Sequence, residues 1–230
     1  MISPITSAIT GIGWISQREY GCVMKSLRRP YLDMGSLRSE LQGQSILSYP
    51  LKRFGKYDLV SKMTCCVSAL ALHDAELSYS ETEKQDVGIL GTNTQGCLQS
   101  NVDYFQDFVV NGRTRGRGSL FIYTLSSIPV AEAAMYFNCR GPLLYMASPG
   151  REVASLVSQS DGMIRREEAT GMLAVQASEE QGLCFVLRRE QDIVADRRLP
   201  VDEVVRLADS APPLDALVAA LAETQDRNNA

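Results

Sequence analysis

The sequence has one histidine, His73, and no pair of cysteines spaced Cys-x-x-Cys. Its six cysteines are Cys22, Cys65, Cys66, Cys97, Cys139 and Cys184. A structural zinc site needs four sulfur or imidazole ligands with close pair spacing, so no metal is expected. The thiols read as reduced and mostly buried, since free cysteine behaves as a small hydrophobe. There is also no basic surplus: 23 Lys and Arg against 27 Asp and Glu give a net charge of −4. Nothing here neutralises a phosphate backbone, so nucleic acid is not an expected partner. The opening MISPITSAITGIGW has neither a basic start nor a long apolar run, which argues against a secretory leader. No stretch of about 18 apolar residues occurs, so no membrane span is expected. A cytoplasmic location is the default. Residues 91–96 (GTNTQG) follow a strand-like run but lack GxGxxG and the Walker lysine, so no phosphate or nucleotide cofactor is expected. No internal repeat or low-complexity segment occurs.

At 45% hydrophobic and 22% charged residues over a 230-residue chain, the composition is that of one globular domain with a sizeable core. Residues 8–15 (AITGIGWI) read as a strand running into a turn. Residues 16–56 read as irregular, punctuated by Pro30, Gly35, Gly43, Pro50 and Gly55, with a short strand possible at 21–24. Apolar residues at three- and four-residue spacing predict a helix over 57–77. Residues 86–92 (DVGILGT) read as a buried parallel strand. Residues 96–110 read as a helix with Leu98, Val102, Phe105 and Val109 on one stripe. The basic, glycine-rich loop 111–118 follows, then a brief extended segment at 120–125. A helix is predicted over 128–137, with Pro129 in its first turn. A strand over 143–147 and a helix over 151–165 come next. Strands over 172–177 and 183–188 flank the polar turn 178–181. Helical patterns at 201–208 and 214–223 are broken by Pro212-Pro213, and 224–230 reads as frayed. The alternation of strand and helix predicts a layered α/β domain over 1–190 with a helical extension over 191–230.

Three segments together resemble the first half of β-ketoacyl synthases. The opening ITGIGWIS resembles their first strand. The second segment carries Gly91-Thr92, Gly96, Tyr104-Phe105, Tyr123-Thr124-Leu125 and Arg140-Gly141-Pro142 in the family's order and spacing. The third, GMIRREEATGMLAVQASEE over 162–180, resembles the helix, turn and strand that follow. The likeness spans roughly residues 8–190. It implies a thiolase-like half with a mixed five-stranded sheet and helices on both faces. The strand at 182–188 looks like the last of that half, reached without the long excursion that normally precedes it.

The resemblance also exposes what is missing. In the family the nucleophilic cysteine lies eight residues after the proline of the Gly-Pro pair, and that position here is Gly150, eight residues after Pro142. Condensation takes the acyl chain as a thioester on a thiolate, and glycine offers no such atom. Ser148 is a weak substitute that would need an adjacent base, and it is expected instead to cap the following helix. Cys139 is expected to be structural, and His73 to have no special role. The family's second half, with its histidines, is absent from this chain. The resemblance therefore implies an acyltransferase ancestry without the condensing machinery, a pseudoenzyme in fatty-acid or polyketide-type biosynthesis that needs no cofactor.

The leading expectation is a non-condensing partner subunit or accessory factor of a full-length ketosynthase. The alternative is a module that binds an acyl chain or an acyl carrier protein without such a partner. Arg113, Arg115 and Arg117 are the candidate contacts to an acidic carrier. The missing half further predicts apolar faces on two helices, at Met63, Cys66, Val67 and Leu70 and at Val153, Leu156 and Val157. A second copy as a homodimer, a ketosynthase, or a fold-back of the 191–230 tail would cover them.

Overall fold

A computed structural model describes residues 5–111, 114, 116–147, 150–193 and 198–229. The chain opens with β1 (Ser7–Ile15), β2 (Glu19–Cys22) and β3 (Leu27–Pro30), then α1 (Met34–Gly43) and α2 (Leu59–Asp74). It continues with β4 (Val87–Thr92), α3 (Leu98–Val110), α4 (Gly118–Phe121), α5 (Ile128–Phe137), β5 (Leu143–Met146) and α6 (Glu152–Arg165). It closes with β6 (Gly171–Ala177), β7 (Gly182–Arg189), β8 (Leu199–Pro200), α7 (Val201–Ala208) and α8 (Leu214–Asn229).

The strands form one sheet in the order β3-β2-β1-β7-β6-β4-β5, with β8 added to β1. β4 is parallel to β5 and β6, while β7 is antiparallel to both β6 and β1. β1, β6, β4 and β5 therefore run one way and β7 the other. This is the expected mixed five-strand core, widened at one side by the β2–β3 hairpin. β6 and β7 form a hairpin, closed by the Ser178 amide donating to the Gln181 carbonyl at 2.8 Å.

Helices cover both faces, and strand alternation divides the core between them. Leu173, Val175, Cys184 and Val186 face α2 and α5. Met172, Ala174, Phe185 and Leu187 face α6, α7 and α8. The contact between β1 and α2 explains the glycines of ITGIG. A methyl group on Gly11 or Gly13 would overlap the α2 backbone at Ala71, so only glycine lets the helix lie directly on the strand. Asp74 fixes this joint. Its carboxylate, 3% exposed, accepts the amides of Ile12 at 2.7 Å, Met24 at 3.0 Å and Lys25 at 2.9 Å.

Four sequence expectations are corrected. Residues 16–56 contain the β2–β3 hairpin and α1, which starts at a capping box. Asp33 accepts the Gly35 and Ser36 amides at 2.8 Å each, and the Asp33 amide donates to the Ser36 hydroxyl at 3.0 Å. Residues 120–125 are not extended: α4 and a 3-10 turn at Ile122–Thr124 fill them. Residues 224–229 are not frayed, because α8 runs to Asn229 and buries Thr224 and Gln225.

The last correction concerns the α2 face, which needs none of the three expected covers, whereas on α6 the expected fold-back of the tail is what is found. Met63, Cys66, Val67 and Leu70 are buried in the α2–α5 core, together with Leu37, Leu41 and Phe54 from the stretch read as irregular. Leu156 and Val157 of α6 are buried under Val201, Val204, Leu217 and Leu221, with Val153 packed at the margin. The tail folds back onto α6 and joins the sheet through β8. The α3 stripe is the reverse case. Leu98, Val102, Phe105 and Val109 all stand in solvent, and α3 has no buried residue.

Candidate functional site

Gly150, the position expected to match the family's nucleophile, lies where the chain leaves β5 and enters α6, at the carboxyl ends of β4, β5 and β6. Gly150 is exposed at φ +83°, a backbone conformation that favours glycine. Ser148, the weak nucleophile candidate and expected cap, lies outside the described residues.

The entrance to α6 is occupied by the chain's own groups. Glu152, in the first turn, accepts the Gly150 amide at 3.3 Å and the Thr94 hydroxyl at 3.4 Å on the same oxygen. A carboxylate suits the positive end of the helix dipole. The neighbouring Arg151 pairs with Asp209, just after α7. A cavity of about 280 Å³ remains beside them, walled by Val153, Leu183, Leu214 and Leu217 with Gln176 and Gln181 at its polar side. The tail thus forms one wall of the space next to the start of α6.

A second cleft of about 420 Å³ adjoins, between the β4–α3 loop and the β6–β7 turn. Asn93, Thr94, Cys97, Ser100 and Ser178–Gln181 line it. Cys97 is half-buried before α3, its Sγ receiving the Asn101 amide nitrogen at 3.0 Å and lying against the Thr124 carbonyl. Burial, with Asp103, Asp58 and Glu180 nearby, holds the Glu179 carboxyl above its ordinary range. Nothing in the sequence singled Cys97 out, because its neighbours arrive from residues 124–126 through tertiary packing.

The remaining sequence candidates disperse. His73 sits in the last turn of α2, thirteen residues along the helix from cleft-lining Val60, which is about 20 Å at 1.5 Å per residue. Burial, then Lys25, lowers its pKa. It offers no base to the Gly150 end. Cys139 is half-buried, and burial pushes its thiol up to about 12, so it stays protonated and inert. Arg117 precedes α4 and pairs with Asp107 of α3 at 2.6 Å, which commits that cation to pinning the loop. Arg113 and Arg115 lie outside the described residues. Among the described residues no cluster of three His, Cys, Asp or Glu could hold a metal. No single described helix is long and apolar enough to cross a membrane.

No family model matches the chain, and no curated protein matches it in sequence. Solved structures do match in fold. "The ishigamide ketosynthase/chain length factor" superposes at TM-score 0.60 with 13% identity, over 85% of this chain and 64% of that one. A second is a ketosynthase bound to hexaketide and in complex with its type II polyketide synthase acyl-carrier protein (AntDE:AntF). It gives TM-score 0.58 at 13% identity, over 82% of this chain and 64% of that one. A β-ketoacyl synthase from Burkholderia phymatum STM815 gives 0.56 at 12% identity, covering 81% and 60%. The chain thus spans less than two thirds of the length of these proteins. The architecture is the thiolase-like fold of the ketosynthases.

Proposed function

We propose that this protein is a non-condensing ketosynthase-like partner subunit in fatty-acid or polyketide-type biosynthesis. The carrying observation is the contrast between the two edges of the sheet. β3 ends one side with Arg28, Arg29 and Pro30, residues that keep a strand edge from pairing. β5 ends the other side with Leu143 and Leu144, and Leu144 is 45% exposed. On the elements and turns between β4 and β5 in the chain, Phe105, Phe121, Ile122, Leu125 and Met135 are also exposed, Phe105 at 64%. An unguarded edge together with such apolar residues is the composition of an interface. The α6 face, by contrast, is covered by the chain's own tail, which leaves β5 as the docking side.

The partner is a full-length ketosynthase that extends the sheet across β5. A second copy, giving a homodimer through the same edge, is the competing occupant. The solved relative in complex with an acyl-carrier protein makes such a carrier a further candidate partner of the assembly.

The test is co-purification of the tagged chain from its native host, with light scattering on the purified protein alone. The reading expects a ketosynthase in stoichiometric amount, lost in Leu144→Lys. A dimer of the chain alone that Leu144→Lys dissociates favours the homodimer. Bound lipid or carrier with neither of these favours the acyl- or carrier-binding module. A monomer that captures no ketosynthase overturns the proposal.

A further inference from the structure

A third cleft lies at the other end of the sheet, at the start of β4 and β6, and no step of the reading above uses it. Its volume is about 420 Å³, within the size range of small-molecule sites. It opens where the chain leaves α2, turns through Glu76 at φ +56°, and runs to β4. Leu77 and Val87 form an apolar wall. Gly171, at the start of β6, adds no side chain to the floor. Gly150 and Cys97 are both absent from its lining, since they lie at the opposite ends of β4–β6.

The polar groups here point to one ligand chemistry. Arg188 continues the row of Cys184 and Val186 along β7 onto the α2 face, where the helix no longer covers it. It is half-buried and its backbone is paired in the sheet, while its side chain makes no ion pair or hydrogen bond with the described residues. A guanidinium presents a fork of donors matched to a carboxylate. Gln85 and Thr170 line the same cleft, each donating elsewhere, to the Ser78 carbonyl at 3.2 Å and the Asp86 carbonyl at 2.6 Å. Gln85 keeps a second Nε2–H that can donate to a carboxylate, whereas Thr170 has only lone pairs left and adds no contact to one. Asp192 stands exposed at the rim and opposes a negative ligand.

We infer that this cleft binds a small organic carboxylate with an apolar body, its carboxylate on Arg188 and its body against Leu77 and Val87. The inference does not depend on the partner-subunit reading.

The test titrates the full-length protein with sodium octanoate and follows backbone amide shifts by NMR. Saturable shifts are expected at Val87, Gly171 and Arg188, with little change at Gly150 and Gln181. Arg188→Gln should weaken binding at least tenfold, and Arg188→Lys less. Asp192→Asn should tighten it two- to threefold by removing the like charge. Octylamine, with the same body and the opposite charge, should not bind. Thermal melts of each variant confirm that the fold is intact, and octylamine against unmodified protein tests the charge rule without any mutation. Unchanged octanoate affinity in Arg188→Gln, equal binding of octylamine, or shifts confined to the Gly150 end would overturn the inference.

Discussion

Asp74 and Gly150 show how much a single residue decides here. Asp74 sits beneath β1 with three amide donors, yet burial outweighs them and pushes its pKa up to about 6 from 3.8. A raised folded-state value means that the folded protein holds the proton more tightly than the unfolded chain. The resulting stability is complete below about pH 4 and is lost as pH rises through about 6. Two units correspond to about 3 kcal/mol. Denaturant melts from pH 4 to 7 should show this fall, and Asp74→Asn should flatten it; an unchanged slope in the variant would assign the effect elsewhere. At Gly150 the expectation is chemical. The protein should form no stable acyl adduct with acyl thioesters, as read by intact mass. Gly150→Cys meets no neighbouring atom, but its φ of +83° strains a side chain by roughly 1–3 kcal/mol. It should therefore restore no condensation, because the only histidine is at the far end of α2. A product-forming Gly150→Cys would show that condensation here needs no further histidine.

Among the elements, the α7–α8 tail matters most for how the chain is organised. Leu221 is fully buried on α8, in the cluster that also holds Leu156 and Val157 of α6. Leu221→Ala should cost about 2–5 kcal/mol in chemical denaturation, the range of well-packed core leucines. A chain ended at Asp192 should self-associate in light scattering, since the α6 face is then bare; a well-behaved monomer would mean that the tail is dispensable for solubility. The loop between α3 and α4 carries a weaker expectation. If Arg113, Arg115 and Arg117 meet an acidic carrier, replacing all three with alanine should weaken binding at low salt, and the difference should shrink at high salt.

At the scale of the whole molecule, two of the faces that a thiolase-like half can present have different fates. The α6 face is closed from within, and the β5 side stays open. Leu144→Lys should leave the melting temperature nearly unchanged, since substitutions at exposed positions usually stay within about 0.5 kcal/mol. It should at the same time abolish association, whichever partner is bound. Loss of both together would indicate that β5 needs its leucines to fold.

Much of this organisation was legible beforehand where the signal is local. The alternation in β6 and β7, the apolar run of β4 and the periodicity of α2, α5 and α6 each express a burial pattern repeated every two or about 3.6 residues. The ITGIG glycines, the Arg-Gly-Pro triplet and the glycine at 150 are equally sequence properties, and the resemblance that pointed to the fold class rests on them. The α1 capping box at Asp33 and Ser36 was there to be read but was hidden among prolines and glycines. Tertiary structure alone decided the rest. Whether an apolar stripe is core or surface depends on what stands opposite, so α2, expected to need an outside cover, is core, α6 lies under the tail as one of the three expected covers, and α3, equally striped, is exposed. The clefts around Cys97 and Arg188 join residues 30 to more than 100 positions apart, and no local spacing encodes them. The sequence by itself determined most of the strands and helices outside 16–56 and 120–125, because those follow from side-chain identity and period. Which faces remain open was settled only when the tail found α6 and nothing in the chain found β5.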